Sequence, residues 1–154
     1  MAFLEKDIFT TVIRSTPLVS IDLIVEDSQG NVLLGMRNNR PAKGYWFVPG
    51  GRILKDETMQ AAFTRLTETE LGVKLKLNDA TFIGPYQHFY QDYVFGDDVS
   101  THYVVLAYRI VVGREELALP REQHSQYKWF TKKEISECPN VHVHSKWYFN
   151  SAAE

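Results

Sequence analysis

The residues best suited to chemistry lie in one stretch, VPGGRILKDETMQAAFTRLTETELGV, at positions 48–73. It opens with Pro49, Gly50 and Gly51, and glycines let the backbone approach a ligand closely. Four of the charged residues that follow the glycines are candidate ligand contacts: Arg52, Glu57, Arg65 and Glu70. Guanidinium groups match phosphate oxygens, and carboxylates are ligands that divalent cations prefer. The stretch therefore predicts a site for a diphosphate and a divalent metal ion.

The elements that must position these residues are a strand end, a tight loop and a helix. Residues 45–48 are apolar and precede the loop, while Gly72 lies where a helix C-cap is expected. A buried helix face is predicted from four residues at helical spacing: Met59, Ala62, Phe63 and Leu66. Asp56 and Glu57 lie just ahead of this helix, where carboxylates favour its positive dipole end. Arg65 and Glu70 lie off the apolar stripe, so loop and helix would present charge to one region.

Composition bounds the class of protein. The chain has 154 residues, 44% hydrophobic and 23% charged, which predicts one soluble globular domain spanning 1–154. The net charge of -2 gives no electrostatic basis for non-specific nucleic-acid binding. No secretory signal or apolar span of about 20 residues is visible, so no membrane partner is expected. A single cysteine, Cys138, excludes an intramolecular disulfide and fits a reducing, cytoplasmic compartment.

Hydrophobic patterning predicts an α/β (α+β) fold, a mixed sheet with helices on its faces. Strands are predicted at 19–27, 32–37, 73–77, 81–92, 102–112 and 126–130. Helical segments are predicted at 3–14 (or an arm), between Glu57 and Gly72, at 132–137 and at 143–153. In the first strand, alternation places Val19, Ile21, Leu23 and Val25 on one face. Asp22 on the opposite face is either an outward polar residue or a functional one.

The stretch from Gly51 to Val73 resembles the Nudix box, a glycine followed at fixed spacing by glutamates, an arginine and a second glycine. The matching residues are Gly51, Glu57, Arg65, Glu70, Gly72 and Val73. Two carboxylates of the family pattern are absent, because Leu66 follows Arg65 and Thr69 precedes Glu70. Since conventional members use these carboxylates to hold metals and to activate water at phosphorus, the altered box implies different chemistry or no catalysis.

The chain is similar over nearly its whole length to the GDP-mannose mannosyl hydrolase subfamily, which lacks the same two carboxylates. The resemblance is carried by RSTPLVS at 14–20, NRPAKGYWFVPGGR at 39–52, RLTETELGV at 65–73, THYVVL at 101–106 and EQH at 122–124. It implies a Nudix fold, a homodimer, and Mg²⁺-dependent hydrolysis of GDP-mannose and GDP-glucose to GDP and free sugar. Water would attack the anomeric carbon with inversion.

The resemblance also implies site residues. His124 would be the general base, and its ordinary pKa of about 6.5 suits that role near neutral pH. One Mg²⁺, replaceable by Mn²⁺, would be held by Glu70, the Gly50 carbonyl and Gln123. Arg37 would bind the diphosphate and stabilise the departing GDP. Phe3, Leu4 and Phe9 would lie at the nucleotide.

Further candidates rest on residue type and position. Arg52 directly after the glycines is a second phosphate clamp. Asp22 is predicted as a catalytic residue that holds sugar hydroxyls, with Tyr103 and His88 as weaker candidates for the same role. Arg65 either binds substrate or pairs with Glu57 across the loop. The aromatic segment 86–95 is a second possible nucleotide contact.

Two alternatives stay open at this point. A conventional Nudix pyrophosphohydrolase would attack phosphorus, and the two missing carboxylates count against it. A catalytically silent nucleotide-sugar binding module would be favoured by loss of His124, Glu70 or Gln123, and all three are present.

Overall fold

The computed structural model describes residues 4–119 and 124–149, except for the side chains of residues 124 and 125. Three predicted site features therefore lie outside the described residues: Phe3, Gln123 and the side chain of His124.

Helices and strands follow the predicted order except at two places: no strand forms at 73–77, and Gly50–Arg52 form a short strand where a loop was predicted. The helices are α1 Lys6–Ser15, α2 Met59–Leu71, α3 Lys132–Glu137 and α4 Val143–Lys146. The strands are β1 Leu18–Glu26, β2 Val32–Arg37, β3 Trp46–Phe47, β4 Gly50–Arg52, β5 Thr81–Tyr90, β6 Thr101–Val111 and β7 His124–Phe130. Single 3₁₀ turns occur at Leu77–Asp79, Arg114–Glu116 and Trp147–Phe149.

The strands form one mixed sheet in the order β3-β2-β1-β6-β5, with β4 paired to β1 and β7 paired to β2. β1 and β6 run parallel, and every other described pair is antiparallel. β1 is therefore central, and it carries Asp22 directly opposite Gly50 of β4. The prediction of a mixed sheet with helices on its faces is confirmed.

The predicted alternation of β1 is confirmed for Ile21, Leu23 and Val25, which share one face, but the opposite face is buried as well. Ile21, Leu23 and Val25 pack against α2, whereas Ile24 on the other face is 2% exposed and packs beneath α3. Val19, predicted to be inward, is 42% exposed. A strand at the centre of a helix-covered sheet is apolar on both sides, which sequence alternation does not reveal.

Helix α2 begins and ends with recognisable caps. The Thr58 side chain accepts a hydrogen bond from the Ala61 amide at 3.1 Å, and Gly72 adopts a left-handed φ of 74°. The predicted C-cap is thus confirmed. The predicted burial of Met59 is wrong, because this first residue of the helix is 39% exposed. Conversely, Glu70 lies in the buried surface of the helix.

Two further predictions fail at element ends. No strand forms at 73–77: the Leu75 amide donates to the Thr67 hydroxyl at 2.9 Å, and the Thr64 hydroxyl donates to the Leu75 carbonyl at 2.8 Å. Side chains of α2 thus take the backbone groups that a strand partner would need. The helix predicted at 143–153 ends at Lys146 and continues as one 3₁₀ turn to Phe149, and residues 150–154 lie outside the described part.

The N-terminal segment forms a helix rather than an arm. Ile13 of α1 packs with Leu18, Tyr93 and Val99, and Phe9 is partly buried against this cluster. Among the described residues, no helix is long and apolar enough to cross a membrane.

Candidate active site

A cavity of about 90 Å³ opens where the glycine-rich loop meets the sheet. It collects seven residues that the sequence singled out for function: Asp22, Arg37, Gly50, Arg52, Glu70, His88 and Tyr103. They come from β1, β2, β4, α2, β5 and β6. The candidates are far apart in sequence, and the sheet brings them to one place.

Gly50 must be a glycine because of how closely β4 approaches β1. A Cβ atom at Gly50 would lie 2.4 Å from the Ile21 carbonyl oxygen and 2.6 Å from Asp22 Oδ1. At the next position, a Cβ on Gly51 would lie 2.5 Å from a methyl group of Leu66. The paired glycines therefore let the loop lie directly on β1 and α2.

Asp22 is the most perturbed carboxyl group of the cavity. Burial raises its pKa to about 7, opposed by a hydrogen bond from Tyr148 and by the positive charge of Arg37. The negative charge of Glu70 adds to the rise. The Tyr148 hydroxyl donates to Asp22 Oδ2 at 2.5 Å. A carboxyl group that titrates near neutral pH beside two arginines is typical of a functional site.

Arg37 is held in place by the loop that follows β2. Its Nε donates to the Pro41 carbonyl at 3.1 Å, and its guanidinium carbon lies 5.8 Å from the centre of the Phe47 ring. The peptide bond between Arg40 and Pro41 is cis. The loop thereby fixes the guanidinium group at the cavity wall, where a phosphate group could bind it.

Arg52 connects the cavity to helix α1. Its guanidinium carbon lies 4.8 Å from the centre of the Phe9 ring, within the range of a cation–π contact. Arg52 also lines a neighbouring apolar groove with Leu4, Ile8 and Leu54. The predicted substrate-binding residues Leu4 and Phe9 are thus next to Arg52 rather than in the cavity itself.

Arg65 pairs with Glu57, as one of its two predicted roles required. Arg65 donates to both carboxylate oxygens of Glu57 at 2.7 and 2.9 Å, and a further guanidinium N–H donates to the Arg52 carbonyl at 2.8 Å. Glu57 also accepts from the Leu54 amide at 3.0 Å. The hydrogen bond from Arg65 lowers the Glu57 pKa. Neither side chain is among the cavity-lining residues, and the pair fixes the loop between Arg52 and α2.

Glu70 is the carboxylate that α2 contributes to the cavity. It is 2% exposed. At the altered box positions, Leu66 is buried in the core beside Phe63, and Thr69 is exposed. Within the described residues, no three His, Cys, Asp or Glu side chains are arranged to hold a metal ion. A carboxylate oxygen is a ligand that hard cations such as Mg²⁺ prefer, and Glu70 provides one at the cavity.

A wall of aromatic rings behind Asp22 was largely missed by sequence reasoning. His88 is 3% exposed and stacks on His144 with ring centroids 4.3 Å apart. His142 stacks on Phe47 at 4.6 Å. Burial lowers the pKa values of His88, His142 and His144 to about 4, 4 and 3, with neighbouring charges as the second cause. These imidazoles are therefore neutral at pH 7.

Two tyrosines complete that wall. Tyr90 lines the cavity, and its position two residues after His88 on β5 was the available sequence signal. Tyr148 lies in the 3₁₀ turn after α4, 126 positions from Asp22. No local pattern marks Tyr148, because only the packing of the C-terminal segment brings it to β1.

The predicted general base lies in a segment that adjoins the cavity. The backbone of His124 begins β7 and pairs opposite Arg37 of β2. Gln123, the predicted third metal ligand, and Phe3 lie outside the described residues. The roles of His124 and Gln123 therefore stay predictions.

Comparison with known proteins identifies the family. The NUDIX domain model matches residues 16–150. The low-salt glycan biosynthesis protein Agl8 of Haloferax volcanii is 38% identical over 127 residues, which is 82% of this chain and 79% of that protein.

Solved structures show the same fold. The MutT protein of Methanosarcina mazei superposes with a TM-score of 0.71 at 18% identity, covering 88% of this chain and 92% of that one. The MutT NUDIX hydrolase of Burkholderia pseudomallei superposes with a TM-score of 0.69 at 23% identity, covering 88% of this chain and 97% of that one. The NUDIX domain of Shewanella oneidensis NrtR, solved with ADP ribose, superposes with a TM-score of 0.65 at 19% identity, covering 91% of this chain and 90% of that one. The predicted fold is confirmed, and the chain belongs to the Nudix family, whose members include hydrolases.

Proposed function

We propose that this protein hydrolyses GDP-mannose, and GDP-glucose less well, to GDP and free sugar, with water attacking the anomeric carbon. The observation that carries the proposal is the composition of the cavity. The box helix supplies one buried carboxylate, Glu70, while Asp22, Arg37 and Arg52 supply further charge beside it.

Attack at carbon places different demands on a site than attack at phosphorus. A cluster of box carboxylates would be needed to activate water next to a bound diphosphate, and here Leu66 fills one such position with core packing. For attack at carbon, the diphosphate is the leaving group and needs positive charge, while the sugar needs polar contacts. Arg37 and Arg52 meet the first demand, and Asp22 with the neutral His88 meets the second.

The proposed reaction breaks the bond between the anomeric carbon and the β-phosphate oxygen. The oxygen of water forms the new bond to carbon, and its proton passes to His124. The electron pair of the broken bond leaves with GDP, whose charge Arg37 stabilises. Because the water attacks from the face opposite GDP, the configuration at carbon inverts.

A single Mg²⁺ fits the proposed reaction, since one carboxylate plus substrate phosphate is a common way to hold this ion. Glu70, the Gly50 carbonyl and Gln123 would hold it, and when bound it would neutralise charge on the diphosphate. Nudix hydrolases in general use divalent metals, which supports the same cofactor here.

The biological setting is proposed from the names of two similar proteins. Agl8 is named for glycan biosynthesis, and NrtR is solved with a nucleotide-linked sugar, ADP ribose. Both fit a nucleotide sugar as substrate and polysaccharide synthesis as the setting. A homodimer in the cytoplasm remains a prediction from the resemblance and from composition.

The decisive test is turnover of GDP-mannose with Mg²⁺ in ¹⁸O-labelled water, with mass spectrometry of both products. We expect label in mannose and none in GDP. Incubation of each product alone in the labelled water is the control, because free mannose exchanges its anomeric oxygen slowly and short reaction times must outrun that exchange. Label in GDP or another phosphate would establish attack at phosphorus. Absence of turnover with either GDP-sugar would instead favour a binding module.

A further inference from the structure

The contact between Tyr148 and Asp22 ties the C-terminal segment to the centre of the sheet. Tyr148 donates to Asp22 Oδ2 at 2.5 Å. Its ring packs edge-on against Tyr86 of β5, with centroids 4.7 Å apart at 89°, and it is partly buried against the core cluster that includes Ile24 and Leu34. The hydroxyl is thus held by packing on its own ring.

Asp22 is constrained on both of its oxygens. Oδ1 lies against the backbone of Gly50, where a Cβ atom would come within 2.6 Å, and Oδ2 accepts from Tyr148. The hydrogen bond to Oδ2, with the Gly50 backbone close to Oδ1, restricts rotation of the carboxyl group about its terminal torsion. Its edge toward the cavity is therefore kept in one orientation.

The Tyr148 hydroxyl also has a second neighbour. His88 Nε2 lies 3.4 Å from the Tyr148 oxygen. Since the hydroxyl proton is donated to Asp22, the oxygen is available to accept from the Nε2–H tautomer of His88. The ring of His88 is in turn held by its stack on His144 of α4. The three side chains form a row from the C-terminal segment to Asp22.

We propose that Tyr148 is a positioning residue that holds the Asp22 carboxyl group in the orientation needed to bind the sugar hydroxyls of the substrate. Tyr148 is not among the residues that line the cavity, so it acts through Asp22 and not on the substrate. The sugar role rests on the proposed function, whereas the hydrogen bond that orients Asp22 does not.

The first test uses proton NMR of the free protein, so it is independent of any substrate. A hydroxyl donor to a carboxylate makes a short, strong hydrogen bond and is expected to give a downfield, slowly exchanging resonance. We expect that resonance in the natural protein, its loss in Tyr148→Phe and its upfield shift in Asp22→Asn. Tyr86→Phe is the matched control, because it removes a hydroxyl from the ring against which Tyr148 packs, and the resonance should persist there.

The second test separates the sugar from the nucleotide. Tyr148→Phe should lower kcat/KM for GDP-mannose by about tenfold or more, since tenfold is the lower end of the effect expected for loss of one hydrogen bond to a charged group. The Kd for GDP should stay within about twofold. Combined with Asp22→Ala, it should cause no additional loss, because the carboxyl group that it positions is already gone. Fluorotyrosine at 148 keeps the ring and the donor, and should preserve turnover even if the phenylalanine variant folds poorly.

The outcomes distinguish this proposal from the proposed function. A downfield resonance that persists in Tyr148→Phe, or additive losses in the double variant, would overturn the positioning role. If GDP-mannose is not turned over at all, the reaction proposed above fails, and the NMR comparison alone still decides whether Tyr148 orients Asp22.

Discussion

At the scale of single residues, Glu70 combines burial with a position at the cavity. Glu68, two positions earlier on α2, is exposed, and its Oε2 atom lies 3.7 Å from Lys74 Nζ. The two glutamates therefore share a helix and a residue type but differ in environment. This pair offers an internal comparison for the proposed metal site.

We expect Glu70→Gln to raise the Mg²⁺ concentration required for half-maximal activity by roughly tenfold or more, since even outer-shell changes at metal sites cost about 10–100-fold in affinity. Glu68→Gln should leave the Mg²⁺ titration unchanged. The measurement is the initial rate as a function of Mg²⁺ at saturating substrate. Equal titrations for Glu70→Gln and the natural protein would place the ion elsewhere.

At the scale of elements, the end of α2 fixes the course of the following chain. Gly72 has a left-handed backbone conformation, with a φ of 74°. The segment that leads toward β7 packs on this helix end, where the Ala118 amide donates a hydrogen bond to the Leu71 carbonyl at 2.9 Å. A Cβ atom at Gly72 would lie 1.9 Å from the Ala118 carbonyl oxygen. The glycine is required by this contact as well as by its φ angle.

Gly30 provides the matched comparison. Its φ of 81° is also left-handed, but a Cβ atom there would meet nothing within 4 Å. Gly30→Ala should therefore cost about 1–2 kcal/mol of unfolding free energy from backbone strain alone. Gly72→Ala should cost about 1–3 kcal/mol more, because the methyl group also displaces the Ala118 loop. Urea unfolding of both variants measures the difference, and equal losses would show that the loop yields without cost.

At the scale of the whole molecule, the three histidines of the aromatic wall behind Asp22 make the free energy of unfolding depend on pH. Burial lowers the pKa values of His88, His142 and His144 to about 4, 4 and 3, against about 6.5 in an unfolded chain. Below pH 6.5 the unfolded chain binds protons that the folded protein excludes, so stability falls as the pH decreases toward 4. Asp22 has the opposite effect on stability. Because its pKa is raised to about 7, the folded protein binds this proton more readily than the unfolded chain, and the resulting gain in stability on acidification offsets the loss from about one histidine.

We expect the free energy of unfolding to be lower at pH 5 than at pH 7, by about 1–2 kcal/mol for each histidine before the Asp22 offset. The measurement is urea unfolding at both pH values. His88→Gln should reduce this pH dependence, and His102→Gln, outside the wall, should not. A difference between pH 5 and pH 7 that His88→Gln leaves unchanged would contradict the assignment.

The sequence by itself determined the features that depend on neighbours along the chain. The C-cap of α2 at Gly72 and the bounds of α3 follow from local patterns, and the structure confirms both. The predicted loop at the paired glycines is wrong in part, because Gly50–Arg52 pair with β1 as strand β4. Seven residues of the candidate cavity were also identifiable: Glu70 from the box spacing, Gly50 and Arg37 from the resemblance, and Asp22, Arg52, His88 and Tyr103 from residue type and position. These features need only residue type and separation.

Tertiary structure decided what depends on packing between distant segments. Burial on both faces of β1, the absence of a strand at 73–77 and the pairing of Arg65 with Glu57 each depend on which segments pack together. The contact of Tyr148 with Asp22 joins the two ends of the chain across one hydrogen bond. Desolvation in that setting raises the Asp22 pKa to about 7, and since burial is a property of the assembled fold, no local sequence pattern encodes it.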